Sequence, residues 1–114
     1  LINYNNKKFR PVRNSESGES SSHTLFRYKQ EGKIIYSNYE GGDIVTGHLL
    51  GLVSDNGEIH FSYHQINIAG ELRTGSCHSI PELLKDGRIR LYETWTWTNG
   101  DKSHGKSVLE EVIR

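Results

Sequence analysis

Polar punctuation divides the chain at short intervals. Glu31-Gly32-Lys33, Gly41-Gly42-Asp43, Asp55-Asn56-Gly57, Ala69-Gly70-Glu71, Asp86-Gly87 and Asn99-Gly100 each read as a turn. Asn-Gly and Asp-Gly supply the positive φ angles that tight hairpins require. Between the turns apolar and polar residues mostly alternate, the period of a strand with one buried face. The pattern predicts strands near 7–12, 23–30, 33–40, 43–54, 58–67, 71–80, 88–98 and 106–113. All links are short except the Ser/Glu/Gly-rich stretch at 14–22, which is expected to be mobile. Short links force neighbouring strands to be antiparallel. A meander of this length removes its exposed edges by closing on itself. The expected fold is all-β, an antiparallel up-and-down meander of about eight strands in one barrel domain over residues 1–114.

The alternation also assigns faces. In 88–98, Ile89, Leu91, Glu93, Trp95 and Trp97 share a face opposite Arg90, Tyr92, Thr94 and Thr96. Thr and Arg suit the outside, so the tryptophan face points inward. By the same logic Ile59, Phe61, Tyr63 and Gln65 are inner, against His60, Ser62 and His64. Phe26 and Tyr28 are inner, against Arg27 and Lys29. The 43–54 segment is apolar on both faces. That fits a face switch through a bulge at Gly47 or Gly51, or an outer face covered in a homodimer. Segment 106–113 has apolar residues at helical spacing, and Ser107 with Glu110 matches a capping box. A strand is preferred there, because without it the meander stays open.

Composition narrows the classes. Lys+Arg and Asp+Glu both number 14, so the net charge is zero and no general attraction to nucleic acid or an anionic membrane is expected. The basic residues Lys7, Lys8, Arg10 and Arg13 face an acidic stretch at 16–19 as their expected mate. Only 33% of residues are hydrophobic, but the aromatic ones are large enough to fill a thin core. Cys77 stands alone, so no internal disulfide holds the fold. A lone thiol, no membrane-length apolar run and no signal-like N-terminal pattern lead to the expectation of a cytoplasmic protein.

Glu93 carries the most information among the polar residues. A carboxylate between Leu91 and Trp95 on an inner face is desolvated, and its pKa should rise unless a cation pairs with it. It anchors a ligand or serves as an acid or base, or it is hydrogen-bonded to Tyr63, Gln65 or an arginine, or it sits wet at the barrel mouth. Trp95 and Trp97 either stack on a ligand or fill the core. Tyr28, Tyr36 and Tyr63 bring hydroxyls to a cavity if they point inward. The candidate ligand-binding set is Glu93, Trp95, Tyr63, Gln65 and Tyr28.

No metal site is expected. His60 and His64 lie about 13 Å apart on an extended strand. The face assignment separates His64 from His78, and no closely spaced Cys/His cluster appears. Cys77 has only His78 as a sequence neighbour, on the opposite face, so an incidental thiol is the expectation. No cofactor is expected either.

Several strings are distinctive beyond their periodicity. They are Asn3-Tyr4-Asn5-Asn6-Lys7 with Phe9-Arg10-Pro11-Val12, Phe26-Arg27-Tyr28-Lys29-Gln30, Gly47-His48-Leu49-Leu50-Gly51-Leu52-Val53, Tyr63-His64-Gln65-Ile66-Asn67, Gly75-Ser76-Cys77 and Glu93-Thr94-Trp95-Thr96-Trp97-Thr98. On these the chain resembles a family of small Firmicutes and Bacteroidetes proteins labelled N-acetylglutamate synthase. The resemblance covers nearly the whole chain, and its label implies acetyl transfer from acetyl-CoA to glutamate. The residues show no Gln/Arg-x-x-Gly-x-Gly/Ala string and no following helix on which a CoA pyrophosphate would rest.

Three functions therefore stand side by side. The first is a ligand-binding barrel of the lipocalin or fatty-acid-binding-protein kind. The second is the labelled acetyltransferase with Glu93 as general base. The third is a packed barrel that dimerises without ligand. An eight-strand barrel is wide enough either to be filled by side chains or to hold one small molecule.

Overall fold

Residues 2–113 are described by a computed structural model, and they follow the predicted meander closely. The strands are β1 (Lys7–Asn14), β2 (Leu25–Glu31), β3 (Ile34–Gly41), β4 (Ile44–Val53), β5 (Ile59–Asn67), β6 (Leu72–Leu83), β7 (Ile89–Trp97) and β8 (His104–Val112). Each pairs antiparallel with the next, and β8 returns to pair with β1, so the eight strands close into a barrel. The capping-box alternative for 106–113 loses to this closure. In β8, Ser107, Leu109 and Glu111 point inward at strand spacing, and ladders to β7 and β1 hold both edges.

The predicted inner faces are the observed ones. Ile89, Leu91, Glu93, Trp95 and Trp97 are all buried, as are Ile59, Phe61 and Gln65, with Tyr63 half-buried. Phe26 and Tyr28 are buried from β2. Of the three tyrosines whose direction was open, Tyr36 does not point inward: it lies on the outer face of β3 and donates to Glu31. β4 does switch faces, but the irregularity lies at Val45–Thr46, not at Gly47 or Gly51. The extra residue lets Ile44 and Leu49 both point inward, leaving Val45, Leu50 and Leu52 outside.

Gly47 and Gly51 serve a different end. Gly47 pairs with Tyr39, Gly51 with Phe61, Gly75 with Tyr63 and Gly105 with Trp95, each across one rung of the ladder. A methyl group at Gly47, Gly75 or Gly105 would run into the ring of its partner, and at Gly51 into Phe61 and backbone. At Gly47, Gly75 and Gly105 an aromatic ring thus occupies the space that a side chain on the neighbouring strand would take.

The two ends of the barrel differ. At one end the segment preceding β1 folds inward, and Tyr4 is fully buried with its hydroxyl donating to the Gly57 carbonyl at 2.5 Å. Its ring joins Phe9 and Tyr28 in an aromatic cluster with centroids 5.0–6.4 Å apart. Ile35, Ile59, Leu91 and Leu109 are also fully buried in the core. At the other end residues 15–24 lie across the mouth. The barrel therefore has a plugged end and a lidded end.

Gly75→Ala tests the ring-over-glycine packing. The added methyl displaces Tyr63 or strains β6, a cost of about 1–3 kcal/mol typical of overpacked cores. Thermal melting followed by circular dichroism should show the loss. An unchanged melting temperature would mean that the ring yields freely.

Candidate functional site

Beneath the lidded end lies a cavity of about 50 Å³. Phe26, Tyr39, Phe61, Tyr63, Trp95 and Trp97 form its walls. Tyr39, Tyr63 and Trp95 are placed over Gly47, Gly75 and Gly105, and Trp97 lies two residues beyond Trp95 on the same face. Tyr39 stacks on Phe26 at 4.4 Å, Tyr63 meets Trp97 edge-on at 5.5 Å, and Trp95 tilts against Trp97 at 5.6 Å. Such offset and edge contacts favour rigid walls.

The polar lining is sparse. Glu93 is buried, and its two carboxylate oxygens accept hydrogen bonds from Ser79 Oγ at 3.0 Å and Ser107 Oγ at 2.9 Å. These serines are the cross-strand neighbours of Glu93 on β6 and β8. Burial pushes the Glu93 carboxyl up to about 7, and the two serine bonds hold it back only in part. No arginine or lysine pairs with it among the described residues. Each carboxylate oxygen has two acceptor sites, so capacity remains for a further donor. Cys77 also lines the cavity, and burial holds its thiol well above the ordinary range, so it stays protonated.

A latch crosses the mouth. Glu19 accepts from Gln65 Nε2 at 2.8 Å and Asn67 Nδ2 at 2.9 Å, and pairs with Arg73 Nη1 at 3.1 Å. Both members of that ion pair are largely shielded, at 14% and 17% exposure, so the bond is less screened than a surface pair. The Arg73 guanidinium stands 4.0 Å from the Trp97 ring centroid, a cation–π contact. Trp97 Nε1 donates to the Ser17 carbonyl, and Asn14 Nδ2 donates to Ser20. Tyr39 donates to Gln65 at 2.8 Å, joining wall to latch.

Of the residues selected from sequence, Glu93, Trp95, Tyr63 and Gln65 meet at this cavity. Tyr28 points inward but lies one layer deeper, wholly buried and away from the lining, with no partner for its hydroxyl among the described residues. Sequence reasoning missed Ser79 and Ser107, whose relation to Glu93 depends on register. It also missed Glu19, which was read as part of an acidic stretch facing the basic N-terminal cluster. Glu19 instead reaches Arg73, while Arg10 donates to the Ser22 carbonyl.

The histidines also regroup. His64 and His78 both face outward, but His64 sits opposite Thr74 while His78 sits opposite His60. His48 and His64 form a second outer pair across β4 and β5.

The family model described as "Avidin-like protein" matches residues 2–112, and the chain belongs to that family. No curated protein matches it.

The Glu93 shift predicts a pH dependence of stability. The carboxyl is near 4.5 when unfolded and about 7 when folded, so the folded state holds the proton more tightly. The unfolded chain loses its proton first as pH rises. Stability is then full below about 4.5, declines between about 4.5 and 7, and levels off above, by up to about 3 kcal/mol. Glu93→Gln keeps the shape and cannot ionise. Melting temperatures at pH 5 and pH 8 should diverge in the wild-type chain and converge in the variant.

Proposed function

We propose that this avidin-like barrel binds a small organic molecule whose head group donates N–H hydrogen bonds to Glu93. The supporting observation is one buried carboxylate, without a cation, at the wall of an aromatic cavity under a latched loop. Apolar walls with a few convergent polar groups are the usual make-up of a small-molecule site. The rings grip a flat head group, and Glu93, oriented by Ser79 and Ser107, selects donors over acceptors once it is ionised. The family name points to biotin as a probe, because avidin is a biotin-binding protein and the ureido ring of biotin carries two N–H donors.

The space now present, about 50 Å³, holds only about three to five waters at about 10–15 Å³ each. A ring-sized head group enters when residues 15–24 lift, which breaks the Glu19–Arg73 pair and the Ser17–Trp97 bond. Binding of an N–H donor strengthens as pH rises through about 7, because the carboxylate is the better acceptor.

Acetyl transfer, the activity implied by the resembled family's label, has less behind it. The described residues form strands and turns, with no helix whose N-terminus would cradle a pyrophosphate. The homodimer expected through residues 43–54 rests on Leu50 and Leu52, exposed at 58% and 61% on the outer face of β4. Sedimentation that shows a monomer at every concentration would remove it.

Tryptophan fluorescence tests the binding reading, because Trp95 and Trp97 both line the cavity. Titration with biotin, imidazolidin-2-one and benzamidine at pH 8 should give a saturable change with at least one of them. Glu93→Gln should weaken that binding at least about tenfold, the loss of one charge-assisted hydrogen bond. Silence of all three probes up to about 1 mM, the limit of weak binding, would sink the proposal. Glu19→Gln should speed both association and release in stopped-flow traces, with no change in which probe binds.

A further inference from the structure

On the outside of the barrel, far from any role in the cavity, three potential ligands converge. Glu58 lies just ahead of β5, His60 is two residues on and therefore on the same face, and His78 stands directly opposite His60 on β6. One donor atom from each lies within 4.8 Å of the others. His78 Nε2 is 2.7 Å from Glu58 Oε1, and the rings of His60 and His78 are stacked at 4.2 Å with 7° between their planes.

We propose that Glu58, His60 and His78 form a binding site for a borderline transition-metal ion of the Zn²⁺ class. Two imidazoles and one carboxylate are the donor set such an ion prefers, whereas Mg²⁺ and Ca²⁺ require oxygen ligands. At metal–ligand bonds near 2.0–2.2 Å, the donor atoms of a tetrahedral site stand about 3.4 Å apart. The three donor atoms, already within 4.8 Å of one another, close to that spacing by side-chain rotation. The hydrogen bond between His78 and Glu58 opens, and the ion takes the place of the proton between them; neutral His78 then ligates through Nε2 and carries its single N–H on Nδ1. His60 is exposed and makes no side-chain hydrogen bond among the described residues, so its ring is free to rotate out of the stack and aim at the same point.

The carboxylate is already oriented from behind. Asn56 Nδ2 donates to Glu58 Oε2 at 3.1 Å, leaving Oε1 for the metal. Outer contacts of this kind fix ligand direction at metal sites. The Asn56 side chain is itself held in the β4–β5 turn by Ser54 Oγ and the Glu58 amide. The site rests on rigid ladder geometry on the histidine side and on an ordered turn on the carboxylate side. Three protein ligands leave one position for water or another donor. This inference is independent of what the cavity binds, since these side chains point away from it.

Calorimetry on the full chain without added histidine tags decides the matter. Zn²⁺ should bind at one ion per chain, and Mg²⁺ should give no saturable heat. Co²⁺ should develop the visible absorption of a low-coordinate complex. His60→Gln and His78→Gln should each weaken Zn²⁺ binding at least about tenfold, while His48→Gln, in the neighbouring histidine pair, should leave it unchanged. His60 is exposed, so its variant retains the barrel and keeps the test valid should the His78 variant fold poorly. No saturable Zn²⁺ binding below about 1 mM would overturn the proposal. Binding that survives His60→Gln, or a stoichiometry of half an ion per chain, would overturn it equally.

Discussion

Everything inside this protein depends on the ladder between its first and last strands. Without the β1–β8 pairing, from Lys8 opposite Val112 to Asn14 opposite Ser107, the sheet has two free edges and no interior. With it, every second residue is forced into one shared space. That explains how a chain with a hydrophobic share of only 33% assembles a core, because all eight strands send their inner residues into a single interior. It also explains why Glu93 is buried at all. The alternation of β7 carries it inward with Leu91 and Trp95, and closure denies it a route to solvent. Ser79 and Ser107 then become its partners by position.

Closure alone would give either a packed interior or a shapeless void. The glycines opposite Tyr39, Phe61, Tyr63 and Trp95 determine which. The rings of Tyr39, Tyr63 and Trp95 lie against the bare backbone of Gly47, Gly75 and Gly105. The rings line the space near the mouth, while Tyr4, Phe9 and Tyr28 close the other end. A single sequence device, a glycine across from an aromatic, therefore shapes the cavity without a single long loop inside it. The outer face obeys the same ladder. The register that pairs Phe61 with Cys77 on the inside also pairs His60 with His78 on the outside, one residue away.

The sequence was most legible where local rules govern. Turn residues located the hairpins, and alternation assigned inner faces in β2, β5 and β7 correctly. It was least legible where a property belongs to two strands at once. Strand spacing separates His60 from His64, and nothing within either segment reveals that His78 arrives opposite His60. Gly47 and Gly51 looked like bulges because glycine in a strand often is one, yet the bulge fell at Val45–Thr46. Glu93 stood out as an inner carboxylate from one strand alone, whereas its serine partners required knowledge of the register. Glu19 lies in a loop with no periodicity, so its contact with Arg73 has no signature in composition. Tyr28 was correctly placed inside, but depth along the barrel axis cannot be read from alternation, and it lies below the cavity.

The plugged end has a consequence for timing. Tyr4 fills one opening and is tied to Gly57, so on the proposed function a guest would leave by the way it came. Entry and exit would then share one gate, with the Glu19–Arg73 pair across it. In a vessel of that kind residence time would follow the latch, and selectivity the wall around Glu93. Trp97 belongs to both, as a wall ring and as the partner of Ser17 and Arg73, so a change at that one position would shift residence time and selectivity together.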